Sequence, residues 1–194
     1  MNLFLTGYRG CGKTEVGRRL AAMLQREWVD MDAVLAGRLG SSIADHVARS
    51  GWASFRQAER RLLRELCGRD GLVVSTGGGV AADRQNATEM RRSGLVVWLR
   101  ADPRTIAARI AADAGASGQR PALRSGADPL DEIRTVLETR TPAYAQAADL
   151  HIDTDHLSVD EICGRIAAWL ATGTGGPASS RHPLSSLDKT KRFK

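Results

Sequence analysis

Leu3-Phe4-Leu5-Thr6-Gly7-Tyr8-Arg9-Gly10-Cys11-Gly12-Lys13-Thr14 decides the fold of this chain. An apolar, β-prone run, Leu3–Thr6, passes straight into a stretch that matches G-x-x-x-x-G-K-[ST]. Behind it, Val16, Leu20, Met23 and Leu24 share one face of a predicted helix. Strand, glycine loop and helix in that order let several backbone N–H groups turn inward. The helix start adds its partial positive charge, which makes a cradle for a polyphosphate. Gly10, Cys11, Gly12, Lys13 and Thr14 are its predicted walls, with Lys13 bridging the β- and γ-phosphates and the Thr14 hydroxyl offered to Mg²⁺, an ion that prefers oxygen ligands. Lysine usage singles out the same spot. Of 28 basic residues 24 are arginine, and Lys13 is the single lysine in the first 188 residues. A general preference for arginine does not account for that exception.

Working outward, further β-prone runs lie at Trp28–Val29, Leu72–Ser75, Leu95–Leu99 and Leu150–Ile152, separated by stretches of helical periodicity. The alternation predicts an α/β fold of three layers, a central five-stranded parallel sheet flanked by helices. Val159, Ile162, Cys163, Ile166, Trp169 and Leu170 form a second apolar helix face. Ser158 with Glu161 reads as a capping box, and Asp102-Pro103 as a cap before a first-turn proline. Two stretches fall outside this map. Ala112–Asp128 is rich in Ala, Gly and Ser around Arg120, Pro121 and Arg124, and reads as a mobile loop. Gly173–Lys194 has no apolar period and reads as a disordered tail.

With 194 residues the chain suits one domain, expected over 1–172. Its net charge of +6 does not describe that domain, because the last 22 residues hold five basic residues against one acidic and leave only +2 for the rest. A basic tail is not a basic fold, so no nucleic-acid partner is expected. No apolar window reaches membrane-spanning length. Cys11, Cys67 and Cys163 show neither C-x-x-C nor a metal spacing and suit reduced thiols in the cytoplasm. A GTPase of the usual kind needs N-K-x-D, which cannot occur where no lysine lies between 13 and 189. The chain is short for a motor. A kinase of small acceptors remains.

Acceptor candidates follow the later strands. Asp30-Met31-Asp32 puts two carboxylates near the crevice of a parallel sheet, where one would sit near Mg²⁺ and the other would orient an attacking hydroxyl. Gly77-Gly78-Gly79 exposes backbone after the third strand. Arg56 and Arg140 carry guanidinium forks suited to a carboxylate.

In combination these motifs resemble the shikimate kinases: the loop at 7–14, D-M-D at 30–32, S-I-A-D at 42–45, S-F-R-Q-A-E at 54–59, T-G-G-G at 76–79, R-P at 120–121 and R-T-P-A-Y at 140–144. The resemblance runs from residue 3 to about 171 and implies ATP-dependent phosphorylation of the shikimate 3-hydroxyl; a monomer is expected. It implies a shikimate-binding segment at about 31–60, with Asp30 near magnesium and Asp32 on the substrate hydroxyls. Arg56 and Arg140 would grip the carboxylate, Gly77, Gly78 and Gly79 would line the ring, and Arg120 would come from the loop at about 112–128, acting as a lid, to the transferred phosphoryl. Glu59, Phe55 and Tyr144 are expected as supporting shell or core. Trp52 and Val47 depart from the family's usual residues, which bears on affinity and not on the reaction. The rival readings are a gluconate-type or nucleoside-monophosphate kinase, and a nucleotide-binding regulator without catalysis.

Overall fold

A computed structural model of the chain describes residues 1–113 and 128–173. The chain alternates strand and helix: β1 (Asn2–Thr6), α1 (Lys13–Leu24), β2 (Glu27–Asp30), α2 (Met31–Leu39), α3 (Ile43–Cys67), β3 (Leu72–Ser75), α4 (Arg84–Ser93), β4 (Gly94–Arg100), α5 (Pro103–Ala112), α6 (Pro129–Ala147), β5 (Leu150–Asp153) and α7 (Val159–Ala171). A short 3₁₀ turn, Val80–Ala82, precedes α4.

The five strands form one parallel sheet in the order β2-β3-β1-β4-β5. All five residues of β1 are buried, as expected of the middle strand of a sheet covered on both faces. Side chains alternate between the layers. Leu3, Leu5, Val97 and Leu99 pack with Val16 and Leu20 of α1 and Ile162, Cys163 and Ile166 of α7. Phe4, Val74, Val96 and Trp98 face the other way, onto Phe55 and Leu62 of α3, Met90 of α4 and Tyr144 of α6. The predicted three-layer arrangement is therefore present. Two side chains leave their predicted faces: Met23 is 42% and Val159 36% exposed. The inward face of α1 is formed by Val16, Gly17, Leu20 and Ala21, which turns Met23 outward. A Cβ on Gly17 would stand 2.4 Å from Ser75 Oγ.

Helix starts carry their own signals. Ser158 and Glu161 make both halves of the capping box, and the Asp102 side chain accepts from Arg104 N ahead of Pro103. α3 is broken at Gly51, whose φ of 76° and ψ of 164° lie outside helical space and turn the first two helical turns away from the rest. Pro142 lies within α6 and lacks the N–H that would bond one turn back.

Candidate active site

The C-terminal ends of β2, β3 and β1 lie side by side, with Asp30 paired to Ser75 and Ser75 to Leu5 in the register. Three loops therefore leave one edge of the sheet together: the glycine loop after β1, the D-M-D segment after β2 and the triple glycine after β3. An open α/β sheet gathers ligands at this edge.

The first loop is held by backbone conformations open to glycine. Gly10 and Gly12 have φ of 78° and 92°, and a Cβ on Gly7 (φ 135°) would stand 2.3 Å from the Leu99 carbonyl oxygen. Gly12 is the N-cap of α1 and brings no side chain to the first-turn N–H groups, which leaves them to a ligand. Lys13 is buried, and its ammonium donates to the carbonyls of Gly7 at 2.9 Å and Tyr8 at 2.8 Å, inside the loop. The Cys11 thiol donates to the same Tyr8 oxygen at 2.8 Å. Ser75 ties this loop to the sheet, accepting from Trp28 Nε1 at 3.1 Å and donating to the Lys13 carbonyl at 2.8 Å.

Asp30 does two things at once. One carboxylate oxygen accepts from the backbone N–H groups of Asp32 at 2.9 Å and Ala33 at 3.3 Å and so caps α2; the other accepts from the Thr14 hydroxyl at 2.9 Å. A carboxylate and a hydroxyl oxygen side by side at the phosphate loop are a hard-oxygen pair that fits Mg²⁺. Asp32 stands in the first turn of α2, past the end of β2, and Asp30 fixes its backbone.

The triple glycine brings the two arginines together. Gly77, Gly78 and Gly79 are all buried. Arg140, half-buried on α6, donates from Nη1 to the Gly78 carbonyl at 3.0 Å, and the Tyr144 hydroxyl donates to the same oxygen. A Cβ on Gly79 would lie 2.4 Å from Arg56 Nη1, so only glycine leaves room for that guanidinium. Arg56 is gripped from behind by Glu59 at 2.5 Å and lies over the rings of Trp52 and Phe55, 5.2 and 5.4 Å from their centres. Burial pushes the Tyr144 phenol up to about 12. Arg120 and most of the predicted lid lie outside the described residues.

Sequence reasoning named Glu59 and Tyr144 only as supporting residues, and nothing in their spacing announces that they hold the two arginines. It gave Arg109 no role. Arg109 reaches across from α5 to the Thr154 carbonyl at 2.6 Å and lies 3.4 Å from that of Gly10, joining the turn after β5 to the phosphate loop. An open cavity of about 550 Å³ at the ends of β4 and β5, lined by Arg100, Asp102, Asp155 and His156 among others, includes none of the predicted acceptor residues.

A phosphate loop at the start of α1, an oxygen pair beside it and two guanidinium groups on an adjoining glycine turn define a P-loop phosphotransferase acting on a small molecule. The family model for shikimate kinase matches residues 9–171. The chain is 40% identical over 161 residues to the shikimate kinase of Rhodopirellula baltica, covering 83% of this chain and 86% of that one. It is 39% identical over 166 residues to that of Symbiobacterium thermophilum, covering 86% and 94%. Its structure resembles that of the shikimate kinase from Acinetobacter baumannii in complex with shikimate, with a TM-score of 0.82 at 30% identity over 89% of this chain and 93% of the other. The chain belongs to the shikimate kinase family.

Proposed function

We propose that this chain transfers the γ-phosphoryl group of ATP to the 3-hydroxyl of shikimate, giving shikimate 3-phosphate and ADP. The observation that carries the reading is the seating of Arg56 and Arg140 against consecutive glycines, Gly79 and Gly78, beside the phosphate loop. Two planar forks at one turn suit a carboxylate, which each can hold bidentately, and a ring acid held there would present a hydroxyl toward Asp32.

Phosphoryl transfer leaves the protein little covalent work, so alignment and charge neutralisation dominate. Lys13 exchanges its two loop carbonyls for the β- and γ-oxygens of the nucleotide, and the N–H groups at the start of α1 bond the same phosphates. Thr14 and Asp30 would hold Mg²⁺, which when bound neutralises charge on the phosphates. Asp32 accepts a hydrogen bond from the attacking hydroxyl and orients it. Arg120, assigned to the expected lid at about 112–128, would neutralise charge on the group in transfer, and excluding water from the site would keep it from taking the acceptor's place. Residues 31–60 form the acceptor-binding part of a kinase domain spanning 1–172, with 173–194 as a tail outside it. The protein works as a cytoplasmic monomer without nucleic-acid or membrane partners. No described helix is long and apolar enough to cross a membrane.

A coupled assay of ADP release across shikimate, gluconate and nucleoside monophosphates tests this. Turnover with shikimate alone is expected. Preference for gluconate or a nucleotide would overturn the assignment, and binding of ATP without turnover of any acceptor would point to the regulator.

A further inference from the structure

We propose that Tyr144 is a positioning residue for the acceptor: its hydroxyl fixes the Gly78 carbonyl and thereby sets where Arg140 and, through Gly79, Arg56 stand. The proposal rests on the carboxylate-gripping role of the two arginines given above.

The Gly78 oxygen has two lone pairs and receives two donors from the same helix, Arg140 Nη1 at 3.0 Å and the hydroxyl of Tyr144 one turn further on. One guanidinium N–H is thereby tethered to the Gly78 carbonyl, the Tyr144 hydroxyl also lies against the same guanidinium, and a fork of five donors has others left to offer a ligand. On the far side the loop backbone abuts the Arg56 guanidinium so closely that a Cβ on Gly79 would overlap it. Residues 78 and 79 are thus a spacer between the two forks, held by Tyr144 on one side and by the Arg56–Glu59 pair on the other.

Tyr144 is built for constancy. It is fully buried, and its ring packs on Trp98 with centres 5.7 Å apart. Burial keeps its proton on well beyond neutral pH, so it remains a donor wherever the enzyme works. Phenylalanine would fill the same space against Trp98; what the hydroxyl adds is a fixed direction for one carbonyl.

The experiment is Tyr144→Phe in the full chain, read by calorimetric titration with shikimate and by steady-state kinetics for both substrates. Loss of one hydrogen bond to a neutral acceptor should raise the shikimate Kd and KM about three- to tenfold, with kcat and the KM for ATP within about twofold. In a cycle with Arg140→Gln, the double variant should bind shikimate no more than about twofold more weakly than Arg140→Gln alone, because the hydroxyl acts through that arginine. Wild-type shikimate affinity in Tyr144→Phe, or factors that multiply in full across the cycle, would overturn the proposal. A merely structural role would instead lower thermal stability while leaving both KM values alone. Should Tyr144→Phe lose nucleotide binding through misfolding, wild-type protein carrying 3-fluorotyrosine supplies a second measurement. Its two tyrosines, distinguished through Tyr8→Phe, give two fluorine signals, and that of Tyr144 must move when shikimate saturates the site; a stationary signal also overturns the proposal. Wild-type protein that binds no shikimate would refute the acceptor assignment itself, a different outcome from any of these.

Discussion

The two halves of this site are assembled in opposite ways. The phosphate half comes from eight consecutive residues, Gly7–Thr14, and is largely backbone: glycine conformations, carbonyls around Lys13 and an uncapped helix start. The acceptor half comes from side chains of α2, α3 and α6 and the turn after β3, and its parts meet only because a triple-glycine turn separates two arginines. A site of contiguous backbone tolerates change in its surroundings and fails when its own geometry is broken. A site of distant side chains depends on every contact that orients them.

Substitutions can break or sharpen that contrast. Lys13→Ala removes the buried ammonium of the phosphate loop and should lower kcat by about 10³-fold, checked by the coupled assay; retained turnover would mean the loop works without it. Arg140→Ala should raise the shikimate KM by roughly 10²-fold, with a much smaller change in the KM for ATP, because it leaves the acceptor carboxylate with one of its two guanidinium partners. An unchanged shikimate KM would contradict the assignment of α6 to the acceptor half.

The two glycine classes should part company. A side chain at Gly79 meets the movable end of Arg56, so Gly79→Ala should raise the shikimate KM about tenfold and spare thermal stability. A side chain at Gly7 meets the Leu99 backbone at a φ of 135°, so Gly7→Ala should cost about 1–3 kcal/mol of stability and disturb nucleotide binding, measured by thermal unfolding and by titration with ADP. Asp30 spans both halves. Asp30→Asn keeps an oxygen to cap α2 and should weaken magnesium dependence alone, whereas Asp30→Ala also loses the cap, worth about 1 kcal/mol, and should raise the shikimate Kd severalfold without nucleotide or metal present.

The smallest effect at neutral pH is a titration. Tyr144 keeps its proton to about 12 in the folded protein, while the unfolded chain releases it near the ordinary 10.0. Above that lower value the unfolded state binds fewer protons, so stability falls as pH rises from about 10 to 12, by on the order of 2–3 kcal/mol for this group. Denaturant melts should show a shallower alkaline decline in Tyr144→Phe.

The strand positions, the helix caps at Ser158 and Asp102, and the phosphate loop were legible because each depends on residues a few positions apart. Periodicity misjudged Met23 and Val159, since an apolar residue at the margin of a helix face is buried only if a neighbouring element reaches it. Arg56 and Arg140 were legible as types, and the likeness to a family gave them a common purpose. Their partners Glu59 and Tyr144 were not, because one side chain among many acquires a role only when another comes within bonding distance.

The order of residues alone determined the alternation of strand and helix and the cradle at Gly7–Thr14, because hydrogen bonding and backbone torsion act over a handful of neighbours. Only the packed structure decided that Gly78 and Gly79, 22 or more residues from Arg56 and some 60 from Arg140, would hold those two guanidinium groups apart. That spacing comes from burying α3 and α6 against one face of the sheet, and burial is a property of the whole chain.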